Sequence, residues 1–537
     1  MNNTDIEKLE AVVSHLASGT APGIIASVQR GGATLLRRGC GLASLDSGLV
    51  NTPSTKMRIG STTKHFCCAL ILMLRDEGKL SIDEPVSRWL PELPASQGSR
   101  TLRHFMNHTG GMRDYLDLSL LSNGLAIVPA DAAYDYQCRQ QEQNFAPGEQ
   151  LIYNNGGYRL LSMVIERVLQ MPLGQALRHR LFEPLSMHDT SLWSSDLDPL
   201  PGCAATHLAH PDGRFSKSLF PAVILGEGGV ASTLDDMQRW LSHLISPVLW
   251  PRALSEEMMT PTELRNGYLH PYGFGLIRER WRGLTIFHHA GGVVGGTCQM
   301  LAAPEHDIQI VVMSNRSDVA AADIAQKLLS SLIGPGQTEA EQPADPALAE
   351  PLGGAYYCPG NGRHFSIEAR DGALYLVNFG MPMPLLQDKD DDGLLRVNVL
   401  SVIALEVAPV RDGSGAVQAI EIVEQGERYR CDRVAACQDG MAAAFGGKWR
   451  SAELGADIVI QAAGPGAASM RIAGLYGRSV YKLQPLRPDV CLMVSADPHL
   501  PLHGTLRLQQ HEGGRRELIL DTARTRRLRL QEDHGHG

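Results

Sequence analysis

The feature that most constrains the fold is a change of pattern in the middle of the 537-residue chain. Residues 334–351 contain four prolines and four acidic residues but no lysine or arginine, which is typical of a linker. Beyond it, hydrophobic residues recur at every second position between tight turns, as at Phe365 and Ile367 or Leu374 and Leu376. Because the length exceeds one ordinary domain core, we expect several domains.

The part before the linker predicts one sheet with helices around it. Ile24–Arg30 and Ala33–Cys40 flank a Gly-Gly pair, which predicts a β-hairpin. Strand-like segments return at Thr285–His288 and Ile308–Met313, so distant parts of the chain are expected to complete one sheet. Phe66–Leu74 is apolar on all sides and predicts a buried central helix.

The part after the linker predicts β-domains. Regular short alternating strands are typical of antiparallel sandwiches or barrels, and ~190 residues suffice for two small ones of ~90 residues each. A weak repeat, Gly353-Gly354-Ala355-Tyr356 and Gly446-Gly447-Lys448-Trp449, supports two units. The predicted boundaries are a first domain over 1–335, a linker over 336–350, and β-domains over 351–433 and 440–537.

Composition excludes several classes of partner. The net charge of -9 provides no basic field for a nucleic acid, and no apolar segment approaches the ~20 residues of a membrane-spanning helix. The N-terminus carries early acids and no apolar core, unlike a signal peptide. Ten cysteines without a C-x-x-C pair argue against zinc or a disulfide framework. We expect a cytoplasmic protein with no metal, cofactor, nucleic-acid or membrane partner.

Ser61-x-x-Lys64 is the first candidate for chemistry. Residues three apart share one face of a helix, so both side chains can meet. A serine hydroxyl needs a base to become a nucleophile, and a buried lysine loses its charge readily enough to serve as one. The pattern alone is common, and the alternative is a helix N-cap at Ser61 with Lys64 on a solvated face.

Two further motifs follow in a defined order, Tyr153-Asn154-Asn155 and His289-Ala290-Gly291. With Ser61-x-x-Lys64, this ordered set resembles the penicillin-recognising serine hydrolases, and specifically their class C-like β-lactamase branch with Tyr-x-Asn. Other segments that match as they stand are Gly78–Val86, His108–Gly111, Pro147-Gly148, Glu183–Met187, Gly228–Thr233 and Tyr272–Gly275. The matches span residues ~10–330.

Two features narrow the resemblance to one family of this superfamily: His-x-Gly replaces Lys-Thr-Gly, and two β-domains follow the hydrolase domain. These features resemble the D-stereospecific aminopeptidases (D-aminopeptidases). The family implies an α/β (α+β) penicillin-recognising serine hydrolase domain followed by two antiparallel eight-stranded β-barrels, with a loop of the last barrel reaching the catalytic pocket. Our candidate is Gly474–Ser479, extended to about Pro485, and an ordinary hairpin turn is the alternative. Its substrate-binding members would be Leu475, Tyr476, Gly477 and Arg478.

The resemblance also implies roles. Ser61 would attack the substrate carbonyl and form an acyl-enzyme, while Lys64 and Tyr153 exchange the hydroxyl proton. Asn155 would position the substrate amide. A tyrosine titrates near ~10, so Tyr153 needs a neighbouring positive charge to act as a base.

The remaining candidates surround the carbonyl and the substrate amine. The N–H groups of Ser61 and Gly292, beside Gly291, would bind the oxyanion. His289 replaces a permanently cationic lysine, which weakens attraction for a substrate carboxylate. Glu227 lies between glycines and is a candidate anion for a substrate ammonium; the alternative is an acid in a surface turn.

The sequence therefore predicts a serine aminopeptidase that hydrolyses N-terminal D-amino acid residues from peptides, amides or esters. An esterase, a β-lactamase or a D,D-peptidase-like hydrolase of the same superfamily is an alternative. A scaffold or binding protein on an inactive hydrolase fold is another, but such a protein would have lost Ser61, Lys64 or Tyr153. We expect a small peptide or amino acid amide as substrate and a homodimer as the assembly.

Overall fold

The computed structural model describes residues 3–333, 341–388, 393–435, 442–464, 467–500 and 502–533. The chain divides into two compact units, which do not follow the order of the sequence. The first contains Met1–Gly110, Gly157–Thr338 and Leu400–Val402, and the second contains Gly111–Gly156, Glu339–Val399 and Ile403–Gly537. Residues 336–340 and 440–441, at two predicted boundaries, lie outside the described residues, and the boundaries stay predictions.

The first unit is built on a six-stranded antiparallel sheet. The predicted hairpin is confirmed, and its turn residues Gly31 and Gly32 have φ values of 56° and 77°, which favour glycine. The hairpin pairs with Ile308–Ser314, so the sheet joins both ends of this unit, as expected. The strand order is Ile277–Trp281, Leu284–Val293, Gly296–Ala303, Ile308–Ser314, Ile24–Arg30, Ala33–Cys40.

Amphipathic helices bury their apolar stripes against this sheet. Leu9 and Val13 of the first helix join Ile324 and Leu328 of the last helix in one core cluster with sheet residues. The helix Lys64–Asp76 is buried on nearly every side, as its apolar sequence predicts. The α-helices of the unit are Asn3–Ser14, Lys64–Asp76, Ala95–Gly98, Leu102–Met106, Asn155–Leu169 (from Gly157 onwards), Leu173–Leu177, Leu234–Ile245, Arg252–Met258 and Ala321–Ile333.

Shorter elements connect these helices and strands. Three-residue and two-residue strands form small separate pairings, and short 3-10 and π turns interrupt the loops. The strands are Leu42–Ser44, Leu49–Val50, Met57–Arg58, Ser191–Leu192, His207–Ala209, Phe215–Lys217, Val230–Ser232, Thr262–Glu263 and Leu269–His270. The turns are Gly60–Thr63, Val86–Arg88, Arg178–Phe182 and Pro304–His306.

The second unit contains the two predicted β-barrels. In the first barrel, eight antiparallel strands close through pairing of the fourth strand with the fifth, and Glu341–Pro343 adds to the fourth strand. Its strands are Gly354–Cys358, Arg363–Arg370, Ala373–Asn378, Met381–Asp388, Leu395–Val397, Leu405–Arg411, Val417–Glu424 and Glu427–Val434. Closure removes free sheet edges, which suits short strands of alternating polarity.

The second barrel is also closed and has eight antiparallel strands. Its strands are Gly447–Ser451, Ala456–Ala462, Ala468–Ala473, Arg478–Arg487, Val490–Ser495, Gly504–Gln510, Arg516–Thr522 and Leu528–Glu532. The helix Tyr115–Asn123 places Tyr115, Leu118 and Leu121 in the apolar core of this barrel. The unit's other short helices are Ala132–Arg139, Pro346–Leu348, Ala349–Leu352, Ala442–Phe445 and Glu512–Gly514.

Within the described residues, no helix is both long enough and apolar enough to span a membrane.

Candidate active site

Ser61 and Lys64 lie where a short turn becomes a buried helix. Ser61 is in the 3-10 turn Gly60–Thr63, and Lys64 begins the α-helix that follows it directly. Lys64 Nζ donates a hydrogen bond to Ser61 Oγ at 3.2 Å and another to the Glu227 carbonyl oxygen at 2.6 Å. The Lys64 side chain is buried, whereas Ser61 is half-buried. The geometry places an amine at the serine hydroxyl, as nucleophile activation requires.

The strand Leu284–Val293 passes close to Ser61 because two glycines allow it. A Cβ on Gly291 would stand 1.8 Å from the Ile59 carbonyl oxygen and 3.2 Å from the Ser61 nitrogen. A Cβ on Gly60 would stand 2.7 Å from the Gly292 nitrogen. Any larger side chain at either glycine would separate the two backbones. The backbones at Ser61 and Gly292 therefore lie close together, and the role of their N–H groups as oxyanion donors stays a prediction.

His289 lies on the same strand and is buried. Its Nδ1 lies within hydrogen-bonding distance of the Ala290 carbonyl, so Nδ1 carries the proton, and Nε2 accepts from the Tyr272 hydroxyl at 3.2 Å. The Tyr272 oxygen in turn lies 3.0 Å from His108 Nε2. Burial and, after it, the Lys64 ammonium lower the pKa of His289 to about 3. His289 is thus a neutral imidazole at neutral pH.

Glu227 contributes a backbone carbonyl to the site, and its side chain is buried beside an arginine. Its carbonyl oxygen accepts the Lys64 hydrogen bond, while its carboxylate is buried and lies 3.6 Å from Arg159 Nη1. A Cβ on Gly226 would stand 2.6 Å from Ser162 Oγ, so this turn is held tightly. The buried Arg159 competes for the negative charge that a substrate ammonium would need, and the binding role of Glu227 stays a prediction.

The Tyr-x-Asn motif lies in the second unit, just before and at the start of the helix Asn155–Leu169. Asn155 Nδ2 donates to Asp114 Oδ2 at 2.8 Å. The same oxygen lies 3.4 Å from Arg524 Nη1, and the Arg524 guanidinium lies 5.2 Å from the centre of the Tyr153 ring. Asp114 is fully buried. A cation therefore lies over the Tyr153 ring, and a buried carboxylate accepts from Asn155.

Arg524 belongs to a loop that links the last two strands of the second barrel, Arg516–Thr522 and Leu528–Glu532. Partial burial lowers the pKa of Arg524, but Asp114, Asp117 and Tyr153 outweigh it and raise that pKa above its ordinary value. Sequence reasoning missed both Asp114 and Arg524. The only signal, for Arg524, was the arginine-rich stretch Arg515–Arg529, which is more often the outer face of barrel strands than a binding site.

The predicted specificity loop is shorter than expected. Gly474 and Gly477 close a tight turn with a 3.0 Å backbone hydrogen bond, and Arg478–Arg487 is already a strand. The Tyr476 N–H donates to Asn123 Oδ1 at 3.0 Å, and Leu475 is 63% exposed. A Cβ on Gly477 would stand 2.4 Å from the Asn123 carbonyl oxygen. This turn packs on the end of the helix Tyr115–Asn123, and its role in substrate binding stays a prediction.

Among the residues that the structure describes, no three His, Cys, Asp or Glu side chains are grouped to hold a metal ion.

Buried neutral histidines predict loss of stability in acid. Burial lowers the pKa of His289 to about 3 and that of His243 to about 4. In an unfolded chain each imidazole titrates near ~6.5, so protonation below that pH favours unfolding. We expect the free energy of unfolding to fall from about pH 6.5 towards about pH 4, by up to about 1.4 kcal/mol per pH unit for each such histidine. Urea unfolding across this range measures the slope.

His243→Asn is the matched variant for this prediction. His243 Nδ1 accepts a hydrogen bond from the Val248 N–H at 3.0 Å, and an asparagine amide oxygen can accept the same bond without titrating. The variant should lose stability less steeply with falling pH. An identical slope in both proteins would contradict the assignment.

Fold and site together define a class of protein. The chain belongs to the beta-lactamase family: the model of that family, described as Beta-lactamase, matches residues 9–332. Over 528 residues the chain is 28% identical to a D-aminopeptidase of Brucella canis, covering 95% of each protein. The similarity therefore includes the barrels as well as the family domain.

Solved structures share the fold. The octameric penicillin-binding protein homologue from Pyrococcus abyssi is 23% identical, with a TM-score of 0.57 over 80% of this chain and 99% of that one. The D-amino acid amidase from Ochrobactrum anthropi SV3, complexed with L-phenylalanine amide, is 23% identical, with a TM-score of 0.52 over 62% of this chain and 99% of that one.

Proposed function

We propose that the protein is a serine hydrolase that removes N-terminal D-amino acid residues from small peptides and amides through an acyl-enzyme. The observation that carries the reaction is the 3.2 Å hydrogen bond from the buried Lys64 amine to Ser61 Oγ. The substrate class is supported by similarity to the Brucella D-aminopeptidase over 95% of both chains. A beta-lactamase relationship limited to residues 9–332 would not explain similarity across the barrels.

In the proposed reaction, Ser61 Oγ attacks the carbonyl carbon of the N-terminal residue, and Lys64 and Tyr153 exchange its proton, as the family resemblance implies. The N–H groups of Ser61 and Gly292 bind the oxyanion, whose charge develops only in the transition state. The proton then passes to the leaving amine, and the bond to that amine breaks. Water hydrolyses the resulting ester by the reverse proton route, which restores Ser61.

Tyr153 is proposed to act as a base because Arg524 stands beside it. A positive charge favours the phenolate over the phenol and so lowers the pKa of a tyrosine. Asp114 would keep Arg524 and Asn155 in place, since one of its oxygens contacts both side chains. Asn155 would then present its amide to the substrate.

Arg524→Gln should lower kcat/KM by about 10-fold to 100-fold and shift the ascending limb of the pH–rate profile to higher pH. The reason is that the uncharged amide no longer stabilises the Tyr153 phenolate. Arg524→Lys keeps the charge and should restore most of the activity and the pH profile. A lower rate with an unshifted profile in Arg524→Gln would contradict this role, since it would indicate only altered packing.

Glu227 is proposed to bind the substrate ammonium, with Arg159 as its competitor. Glu227→Gln removes the negative charge but keeps the backbone carbonyl that accepts from Lys64. We expect KM for D-alanine amide to rise about 10-fold or more, while kcat changes little. Unchanged affinity for amine-bearing substrates would reject the role. An N-acetylated D-alanine ester is the control, because it carries no ammonium.

The test of the function is a comparison of enantiomers. Release of p-nitroaniline from D-alanine p-nitroanilide and of ammonia from D-alanine amide is expected, with far slower release from L-alanine p-nitroanilide. Equal or faster hydrolysis of the L form would overturn the proposed stereospecificity. Because the matching family model is described as Beta-lactamase, the alternative is an esterase or β-lactamase activity. Hydrolysis of p-nitrophenyl esters and of a chromogenic β-lactam is therefore assayed in parallel. Turnover of these alone, without aminopeptidase activity, would identify an esterase or β-lactamase.

We also propose that the protein is a cytoplasmic homodimer. The nine described cysteines are free thiols, as a reducing compartment maintains them. Light scattering during size-exclusion chromatography measures the assembly, and a mass other than twice that of the chain would reject the dimer. Fractionation of cells that produce the protein would test its location.

A further inference from the structure

Two cysteines face each other inside the first barrel. The strands Gly354–Cys358 and Glu427–Val434 are the first and last strands of that barrel, and they pair in antiparallel register. Tyr357 stands opposite Asp432, so the next pair in the same register is Cys358 and Cys431. Both side chains belong to the apolar core cluster of the barrel. The two sulfur atoms therefore point to the same side of the sheet, into the same interior.

This placement suits a disulfide bond. Directly opposed residues of an antiparallel pair have Cα atoms about 4.5 or 5.5 Å apart. Disulfide-bonded cysteines span about 4.4–6.8 Å between Cα atoms. Both residues are free thiols in the structure, so the pair is a dithiol that could be oxidised.

The surroundings make the two thiols unequal. Interaction with the Cys431 thiol, together with the backbone N–H groups of Asn361 and Gly360 and the Arg363 charge, lowers the pKa of Cys358. The same interaction between the thiols, with burial, raises the pKa of Cys431. Of the other charged groups here, Arg363 lowers the pKa of Cys431 and Asp432 raises it. The Cys431 thiol also donates to the Tyr429 carbonyl oxygen at 3.7 Å. Cys358 precedes the exposed residues Pro359 and Gly360, whereas Cys431 is fully buried, so we assign Cys358 as the nucleophile and Cys431 as the thiol that resolves the mixed disulfide.

Access to Cys358 lies at the end of its strand. The residue is 3% exposed, but the turn that follows it contains the exposed Pro359 and Gly360. The N–H groups that stabilise the thiolate come from this same turn. The reaction therefore requires a local opening at this turn, the kind of fluctuation to which exposed turns are most prone.

We infer that Cys358 and Cys431 form a reversible thiol–disulfide modification site that reacts with low-molecular-weight disulfides such as oxidised glutathione. The Cys358 thiolate attacks one sulfur of the reagent, forming a mixed disulfide and releasing one thiolate. Cys431 then loses its proton and attacks the Cys358 sulfur, forming the protein disulfide and releasing the second thiolate. Two protein thiols are oxidised, and one reagent disulfide is reduced to two thiols.

The bond would link the first and last strands of the barrel covalently. The first and last strands are joined over only three residue pairs, next to the two cysteines. A cross-link between them encloses most of the barrel sequence in one loop, and such a loop restricts the unfolded chain strongly. The oxidised full-length protein should therefore show a melting transition raised by about 5 °C over the reduced protein.

The experiment treats the native full chain with oxidised glutathione, quenches it by acid and alkylation, and maps the peptides by mass spectrometry. A linked peptide containing Cys358 and Cys431 is expected, while Cys298 remains a free thiol. Cys298 is the internal control because it is equally buried, its pKa is raised to about 12 by burial, and Gly291 and Met313 stand opposite it. Cys431→Ser should stop the reaction at one glutathionyl group on Cys358.

Three results would overturn the inference. The first is the absence of the linked peptide at an oxidant concentration that fully oxidises dithiothreitol in a parallel tube. The second is formation of the link only after urea unfolds the protein. The third is modification of Cys298 at the same rate as Cys358. If the disulfide-linked protein has the same melting temperature as the reduced protein by calorimetry, the bond does not stabilise the barrel, and that part of the inference is overturned. These outcomes are independent of peptidase activity.

Discussion

Ser61→Ala is expected to abolish hydrolysis of D-alanine p-nitroanilide, with kcat reduced by about 10⁴-fold or more. Alanine removes the oxygen that forms the acyl-enzyme, while the Lys64 amine keeps its hydrogen bond to the Glu227 carbonyl oxygen. Ser61 is half-buried in a turn, and alanine is smaller than serine and removes the hydrogen bond with Lys64 without introducing a clash. The fold should therefore survive the change. Steady-state kinetics and the thermal midpoint are measured on the same preparation.

Ser61→Cys is the control for this prediction. It keeps a nucleophile at the same position and should retain trace activity with a changed pH profile, since a thiol ionises near ~8.5. Mass spectrometry of the wild-type enzyme with a slow ester substrate should reveal an acyl group on the peptide that contains Ser61. Residual activity of Ser61→Ala close to wild type would place the nucleophile elsewhere and overturn the mechanism.

Lys64→Met is expected to lower kcat by about 10³-fold or more while substrate binding changes less. Methionine fills a similar volume in the buried site but cannot accept a proton from Ser61. It also leaves the Glu227 carbonyl without the Lys64 donor, so a modest loss of stability is expected. Single-turnover kinetics of acylation measure the effect on the chemical step directly.

Two comparisons separate the role of Lys64 as a base from its charge. Lys64→Arg keeps a cation that does not deprotonate, and it should be nearly as inactive as Lys64→Met. Lys56→Met is the matched control, because Lys56 pairs with Asp189 at 3.2 Å and has no role in the proposed reaction. Substantial activity in Lys64→Arg would mean that this residue supplies only charge, and the proton route would have to be revised.

Much of the fold follows from local pattern. The Gly31-Gly32 turn predicts the hairpin because only left-handed backbone fits there, and both glycines have positive φ values. The apolar sequence after Lys64 predicts a buried helix because no face is polar enough for water. Alternation of period two predicts barrel strands because it gives each strand one apolar face, which lies inside the barrel, and one polar face, which lies outside.

The site was predictable only in part. Ser61 and Lys64 are three residues apart, so helical geometry alone brings their side chains together. Tyr272 beside His289 and Arg524 beside Tyr153 are contacts between residues far apart in the sequence. No local period or spacing encodes such pairs, because they depend on how strands and loops pack. The candidate turn at Leu475 was chosen for its glycines, which also suit an ordinary tight turn.

The sequence by itself determined the elements and the chemistry available to them: a buried helix led by Ser61 and Lys64, a mixed first domain and two β-domains. Hydrophobic period and turn residues act locally, so they are readable without coordinates. Tertiary structure alone decided which distant groups meet. It buried His289 as a neutral imidazole, set Arg524 and Asp114 around the Tyr-x-Asn motif, and brought Cys358 and Cys431 together in one barrel core. Burial and register set charge state and partner, and neither exists until the chain has folded.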